Sequence, residues 1–250
     1  MTGASAPRLD AAEGRLILSR TLMPVAMQLH TGRDTTLAVA EASALENAGI
    51  LANGHLHPVA DSILATMTDP DLVATVECTT LKRRPWLGTV WGRGATGVVG
   101  ESPAPDTFAL HQTSRGLLPF HVTNLVGVGP RPTPDVRRPI VVATEVLAAS
   151  RPHWHTPEVV SDLLADQGIP QRGADALAAA HAMRRASWRV TCLRTDPAGI
   201  PCNGEVLVLD GDDGGYWSLQ ADADASGTVT FTPIPWPSVI NLVGDLLPTG

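Results

Sequence analysis

The chain has 250 residues, 44% of them hydrophobic, and a formal net charge of -7 from 18 basic and 25 acidic side chains. That length suffices for one large or two modest cores, and the acidic balance argues against nucleic acid as a partner, since phosphate binding needs a clustered excess of Lys and Arg. No stretch approaches the ~18 uninterrupted apolar residues of a membrane span, and Met1 to Glu13 lacks the basic start and apolar stretch of a secretory leader. Three widely spaced cysteines, Cys78, Cys192 and Cys202, suit a reducing cytosol, so a cytoplasmic location is expected.

In chain order, Asp34 is placed to cap a helix with apolar stripe Leu37, Ala40, Ala44, Leu45 and Ala48, stopped by Gly49. A second helix is expected from about Pro58 to Met67, with Val59, Ile63 and Met67 on one side. The period then changes to two: Leu72, Ala74, Val76 and Cys78 face one way, and Val73, Thr75, Glu77 and Thr79 the other. Further strands are expected at Trp86 to Trp91, Gly97 to Gly100 and Thr107 to His111, before a short helix and an extended connector with Pro130, Pro132, Pro134 and Pro139.

The second part follows the same order. Thr156 and Pro157 open a helix with Val160, Leu163 and Leu164 on one face and Gly168 as its stop. An Ala-rich helix spans Gln171 to Arg184, and Trp188, Val190 and Cys192 then alternate with Arg189 and Thr191. Strands are expected at Glu205 to Leu209, Tyr216 to Gln220 and Thr228 to Thr232, the first two joined by the turn Asp210 to Gly215, before a last helix from about Pro237 to Leu247.

Short matches recur at near-equal offsets. Leu45 to Ile50 answers Leu164 to Ile169 at 119 positions, Asn124 to Gly127 answers Asn241 to Gly244 at 117, Cys78 answers Cys192 at 114, and Thr107-Phe108 answers Thr230-Phe231 at 123. These offsets predict an internal duplication, with halves at about 22–129 and 140–250 and connector 130–139. The expected fold is one α+β body, a central antiparallel sheet flanked by helices, with two half-sheets joined edge to edge about a pseudo-two-fold axis.

Catalytic signatures are sparse. His55-Leu56-His57 and His153-Trp154-His155 share H-x-H spacing, but zinc needs a third ligand, and both pairs precede helices, where His57 before Pro58 reads as a helix-entry residue. A metal-dependent enzyme built on these pairs stays as the alternative reading, beside a general adaptor or self-associating scaffold. Asp210, Asp212 and Asp213 lack the Gly and Glu positions of a calcium loop and read as a hairpin turn. Cys78 and Cys192 fall on apolar strand faces, a core role. No enzyme activity, cofactor or metal is expected. In contrast, Lys82-Arg83-Arg84-Pro85-Trp86 sets three cations beside an indole between strands, the composition of a protein interface, and Trp236 between Pro235 and Pro237 is a second such candidate.

The run Leu45 to Pro58, continuing through Leu64-Ala65-Thr66-Met67 to Asp69-Pro70-Asp71, together with Leu207 to Asp210, Gly214 to Tyr216 and Val229 to Pro233, resembles the EspG family, cytosolic chaperones specific to type VII (ESX) secretion in actinobacteria. The resemblance implies a pseudo-two-fold α+β body that grips the tip of the PPE protein in a PE/PPE heterodimer and hides its hydrophobic end until secretion. Such a protein needs an apolar groove with a polar rim. By position, Lys82, Arg83, Arg84 and Trp86 with Thr232, Ile234, Trp236 and Ile240 would border that groove in a monomer or homodimer.

Overall fold

The computed structural model describes residues 6–32, 38–80, 85–196, 198–221 and 227–248. The chain begins with β1 (Arg8–Asp10), β2 (Arg15–Ser19), α1 (Leu22–His30), α2 (Val39–Asn47), the hairpin β3 (Leu51–Ala52) and β4 (His55–Leu56), and α3 (Pro58–Thr68). Four long strands follow, β5 (Leu72–Thr80), β6 (Trp86–Arg93), β7 (Thr96–Ala104) and β8 (Thr107–Ser114), then α4 (Leu118–Leu125). Beyond the connector come β9 (Ile140–Ala143), α5 (Thr144–Ser150), α6 (Pro157–Ala165), α7 (Gln171–Ala182), β10 (Ala186–Thr195), β11 (Pro201–Asp210), β12 (Tyr216–Ala221), β13 (Thr228–Ile234) and α8 (Trp236–Leu246).

Among the described residues the strands form one eleven-stranded antiparallel sheet, ordered β1-β2-β8-β7-β6-β5-β10-β11-β12-β13-β9, and the separate β3–β4 hairpin. β5 and β10 meet at the centre of the large sheet, and outward from them the order of strands is the same on either side as far as β8 and β13. Val76 pairs with Val190, Cys78 with Trp188 and Ala74 with Cys192. Val76 and Val190 are 114 residues apart, the offset that also relates Cys78 to Cys192.

Helix stops agree locally with that pattern. Gly49 (φ 69°) and Gly168 (φ 82°) both take the left-handed conformation that a residue without Cβ adopts at little cost. In each case the glycine N–H donates to the third residue back and the following isoleucine N–H to the fifth: Gly49 to Glu46 and Ile50 to Leu45, Gly168 to Ala165 and Ile169 to Leu164. Leu45, Ile50, Leu164 and Ile169 are all buried, completing the apolar contact of a Schellman stop. The Asn-Leu-Val-Gly pair behaves differently. Gly127 ends α4, whereas Gly244 lies inside α8, which continues to Leu246. Helix starts also depart from expectation. The proposed cap Asp34 lies outside the described residues, and the Ala38 N–H ahead of α2 donates to Glu41 Oε2 at 3.3 Å. Thr156 precedes α6 but makes no side-chain cap bond.

Three apolar clusters set the layers. On one sheet face, α4 and α8 cover the centre: Leu118, Val122, Val239 and Val243 pack on Val76, Cys78, Trp188, Val190, Cys192 and Val208. Among the described residues the opposite face is covered toward its ends, by α1–α3 over Leu16, Leu18, Val98 and Leu110 and by α6–α7 over Ile140, Val142, Leu209, Trp217 and Phe231. None of the described helices is long and apolar enough to cross a membrane.

Burial raises the Cys192 thiol to about 11 and raises that of Cys78, the latter against a hydrogen bond with Trp86. Thiolate chemistry is thereby suppressed. Thiol titration of the native protein should modify the part-exposed Cys202 first and the buried Cys78 and Cys192 only as the protein unfolds; fast reaction of all three would contradict a closed core.

The glycine-rich turn Asp210 to Gly215 serves packing as well as chain reversal. A Cβ on Gly214 would stand 2.8 Å from Ala180 Cα, and one on Gly215 (φ 72°) would stand 2.4 Å from the Pro132 carbonyl oxygen. α7 and the connector therefore close onto the β11–β12 turn only because side chains are absent there. The Tyr216 hydroxyl exchanges bonds with the Gly129 N–H (3.1 Å) and carbonyl (3.3 Å), fixing the connector to the sheet.

Candidate partner-binding surface

With helices at both ends of one sheet face, the central strands between them form an open trough. Strand alternation decides what its floor presents. Across the register, Leu87 faces Glu77, Glu77 faces Arg189 and Arg189 faces Leu207; two rows along the same face, Trp91, Val73, Leu193 and Asn203 align. Leu87 and Leu193 are each 62% exposed, large values for leucines on central strands. Thr75, Thr89 and Thr191 lie between these rows, and Arg189 Nε approaches Glu205 Oε2 at 3.4 Å. The floor is thus apolar in spots within a polar frame, as at an interface that must also exist unbound.

At the Thr80/Ala186 end of the central strands lies a cleft of about 800 Å³. Cys78, Thr80 and Trp86, the α4 terminus Leu125 to Gly127, the α7–β10 turn Ala182 to Ala186, Arg131 and Asp212 line it. Asp210 lies behind this lining, against Arg131 and Arg185. This buried carboxylate accepts from Arg131 Nε (3.2 Å) and Nη2 (3.4 Å) and from the Asp212 N–H (3.0 Å), and its oxygen lies 3.8 Å from Arg185 Nη1. Burial opposes the Arg131 charge, but the hydrogen bond and charge of Asp210 outweigh it and hold the guanidinium above its usual range. Arg184 differs: its guanidinium carbon sits 4.8 Å from the Trp154 ring centre. Behind it Trp154 stacks on His181 at 4.9 Å.

The structure places the expected site residues as follows. Lys82, Arg83 and Arg84 lie outside the described residues. Trp86 is half-buried in the cleft wall. Ile234 is 8% exposed in the core beneath α8, Trp236 packs against that core, Thr232 pairs with Ser218, and Ile240 lies on the outer side of α8 at 37% exposure. Trp86, Ile234 and Trp236 thus share one core cluster. Leu87, Leu193 and Arg184 were missed from sequence; the signal available for Leu193 was an apolar residue on the polar side of an alternating strand. Of the histidine pairs, His57 Nδ1 accepts the Val59 N–H at 3.2 Å, and His153 ends a short 3-10 turn. Among the described residues no three His, Cys, Asp or Glu side chains gather as a metal site.

A large antiparallel sheet with helical layers, its centre uncovered on one face among the described residues, defines an α+β scaffold. The EspG family model matches residues 10–238, and the chain belongs to the EspG family. Among solved structures, the chain is similar to the type VII secretion system chaperone EspG5 of Mycobacterium tuberculosis, whose structure is in complex with the PE25–PPE41 dimer. That likeness has a TM-score of 0.66 at 13% identity, over 94% of this chain and 98% of the other. No curated protein sequence matches.

Proposed function

We propose that this chain is a cytoplasmic, non-enzymatic chaperone that seats the hydrophobic tip of a PE/PPE-type secretion client in the trough. Family membership and the fold shared with EspG5 support the class. The observation that carries the seat is the exposure of Leu87 and Leu193, at 62% each, on central strands between two helical layers. Covering what remains exposed of each would yield about 1–2 kcal/mol. In this reading Lys82, Arg83, Arg84 and Trp86 edge the client at one end of the sheet, while Thr232, Ile234, Trp236 and Ile240 support or flank it through β13 and α8. The halves at about 22–129 and 140–250, joined by 130–139, are in the same reading copies of one unit; halves of an experimental structure that failed to superpose over β5–β8 and β10–β13 would sink that.

Co-expression with PE/PPE pairs from the same genome, followed by pull-down, tests the function. Leu87→Glu and Leu193→Glu should each lower capture about 100-fold or more, because a carboxylate would be buried unpaired in the complex. Their melting temperatures should stay near wild type, since both sites face water in the free protein. Full capture by both variants would remove the trough from the site.

A further inference from the structure

The cleft at the Thr80/Ala186 end carries a charge the fold leaves unmatched. Arg131 and Arg185 point into it from positions already tied to Asp210. Arg184 has no carboxylate within ion-pair distance among the described residues; its nearest electrostatic neighbours are the Trp154 ring and the like-charged Arg151. Burial, and to a lesser extent Arg151, lowers the affinity of Arg184 for its proton, the mark of a cation short of counter-charge. With Asp210 behind Arg131 and Arg185 and Asp212 on the lining, three guanidiniums meet two carboxylates, which leaves a local excess of one positive charge on a chain of net charge -7.

The walls decide what kind of anion fits. At about 800 Å³ the space is far larger than a phosphate ion needs, and Cys78, Trp86, Leu125, Val126 and Met183 make much of it apolar. A glycine-rich turn opening a helix, which would cradle a nucleotide phosphate, is absent from the lining. Acidic side chains interspersed with apolar ones satisfy both walls. Location adds a second argument: Trp86 and Leu87 are consecutive on β6 and so face opposite sides of the sheet, one into the cleft and the other into the trough. A polypeptide seated on Leu87 reaches Trp86 by rounding the end of the strand.

We infer that the cleft is a second, electrostatic subsite of the chaperone, in which Arg184, steadied on Trp154, pairs with a carboxylate in an acidic, partly apolar segment of the client. This rests on the chaperone reading above. The trough supplies apolar contact, and the cleft selects clients by charge through an arginine already oriented by its ring.

The test is capture of PE/PPE pairs from the same genome by wild type, Arg184→Gln and Arg184→Lys, with titration of inorganic phosphate and of a capped hexaglutamate peptide as probes. Arg184→Gln should weaken capture about tenfold, as loss of one charge-assisted bond does. Arg184→Lys, which also loses the planar stack but keeps the charge, should recover most of it. Should the Gln variant fold poorly, the salt response of wild type still decides. Capture should weaken as salt rises from about 0.1 M to about 1 M, where the Debye length shrinks from about 10 Å to about 3 Å, and hexaglutamate should compete where phosphate does not. Equal capture by wild type and Arg184→Gln, salt-insensitive capture, or phosphate competing as well as the peptide overturns the subsite and leaves the chaperone reading intact. Failure of wild type to capture any pair overturns both.

Discussion

Replacing Asp210 by alanine should destabilise the protein by about 3–5 kcal/mol, the cost of removing one partner from a buried ion pair. The side chain is 1% exposed and holds Arg131, itself 15% exposed, while Arg185 stands at 3.8 Å. Three segments converge on this residue: the connector through Arg131, the β11–β12 turn through the Asp212 N–H, and the α7–β10 turn, where the Arg185 N–H donates to the Asp210 carbonyl at 2.8 Å. Without the carboxylate, Arg131 keeps the rim contact with Asp212, a bond from Nη1 to the Pro130 carbonyl at 3.0 Å and its stack 5.9 Å over Tyr216, and its charge loses the buried partner. For a chain of this size the melting temperature should fall by roughly 10 °C or more. An Arg131→Met change added to Asp210→Ala should recover part of the loss, because the stranded charge is then gone. Urea unfolding of the single and double variants measures this, and a double variant less stable by the full sum of the singles would show that the pair is not what matters.

His181 should give the protein an acid-sensitive limb. Its ring is 8% exposed at the end of α7, stacked on Trp154 at 4.9 Å and edge-on to Phe231 at 5.8 Å, with neither nitrogen hydrogen-bonded. Burial, and secondarily Arg184, lowers its pKa from 6.5 to about 4. Between those values the unfolded chain binds a proton that the folded protein refuses, so stability rises with pH there. The stabilisation is complete above pH 6.5 and is lost as pH falls toward 4; the gap corresponds to about 3 kcal/mol. His181→Phe should flatten this limb and add about 1–2 kcal/mol at neutral pH by removing two unsatisfied polar atoms. Urea midpoints at pH 7.5 and 4.5 are the readout. Parallel pH dependence in the two proteins would place the acid response elsewhere.

The long strands of each half were legible because they are half-buried: in β5, alternate residues meet α4 and α8 while the others face the trough, and the polarity pattern records both environments. Gly49 and Gly168 were legible because a left-handed stop leaves few residue choices. What escaped depends on distant partners. β2 pairs with β8, with Ile17 opposite Ala109, and β9 pairs with β13, with Ile140 opposite Phe231, so five- and four-residue runs carried too little local signal. The trough was hidden for a related reason: period-two patterning identifies two faces, but which helices cover which face is settled by the sheet order. Asp210 read as part of a wet turn because its partner Arg131 lies 79 residues away in the chain.

The outermost strands carry a consequence for letting go. β1 has three residues and β9 four, and Pro139 stands immediately before β9. Among the described residues neither border offers a long ladder of free amides to a passenger chain, so extension of the sheet by an aggregation-prone cargo would stop after a few residues. A hold made by side chains on the sheet face then lets go without unzipping a ladder of backbone bonds. Such a carrier can hand over what it protects without becoming the seed of a fibre.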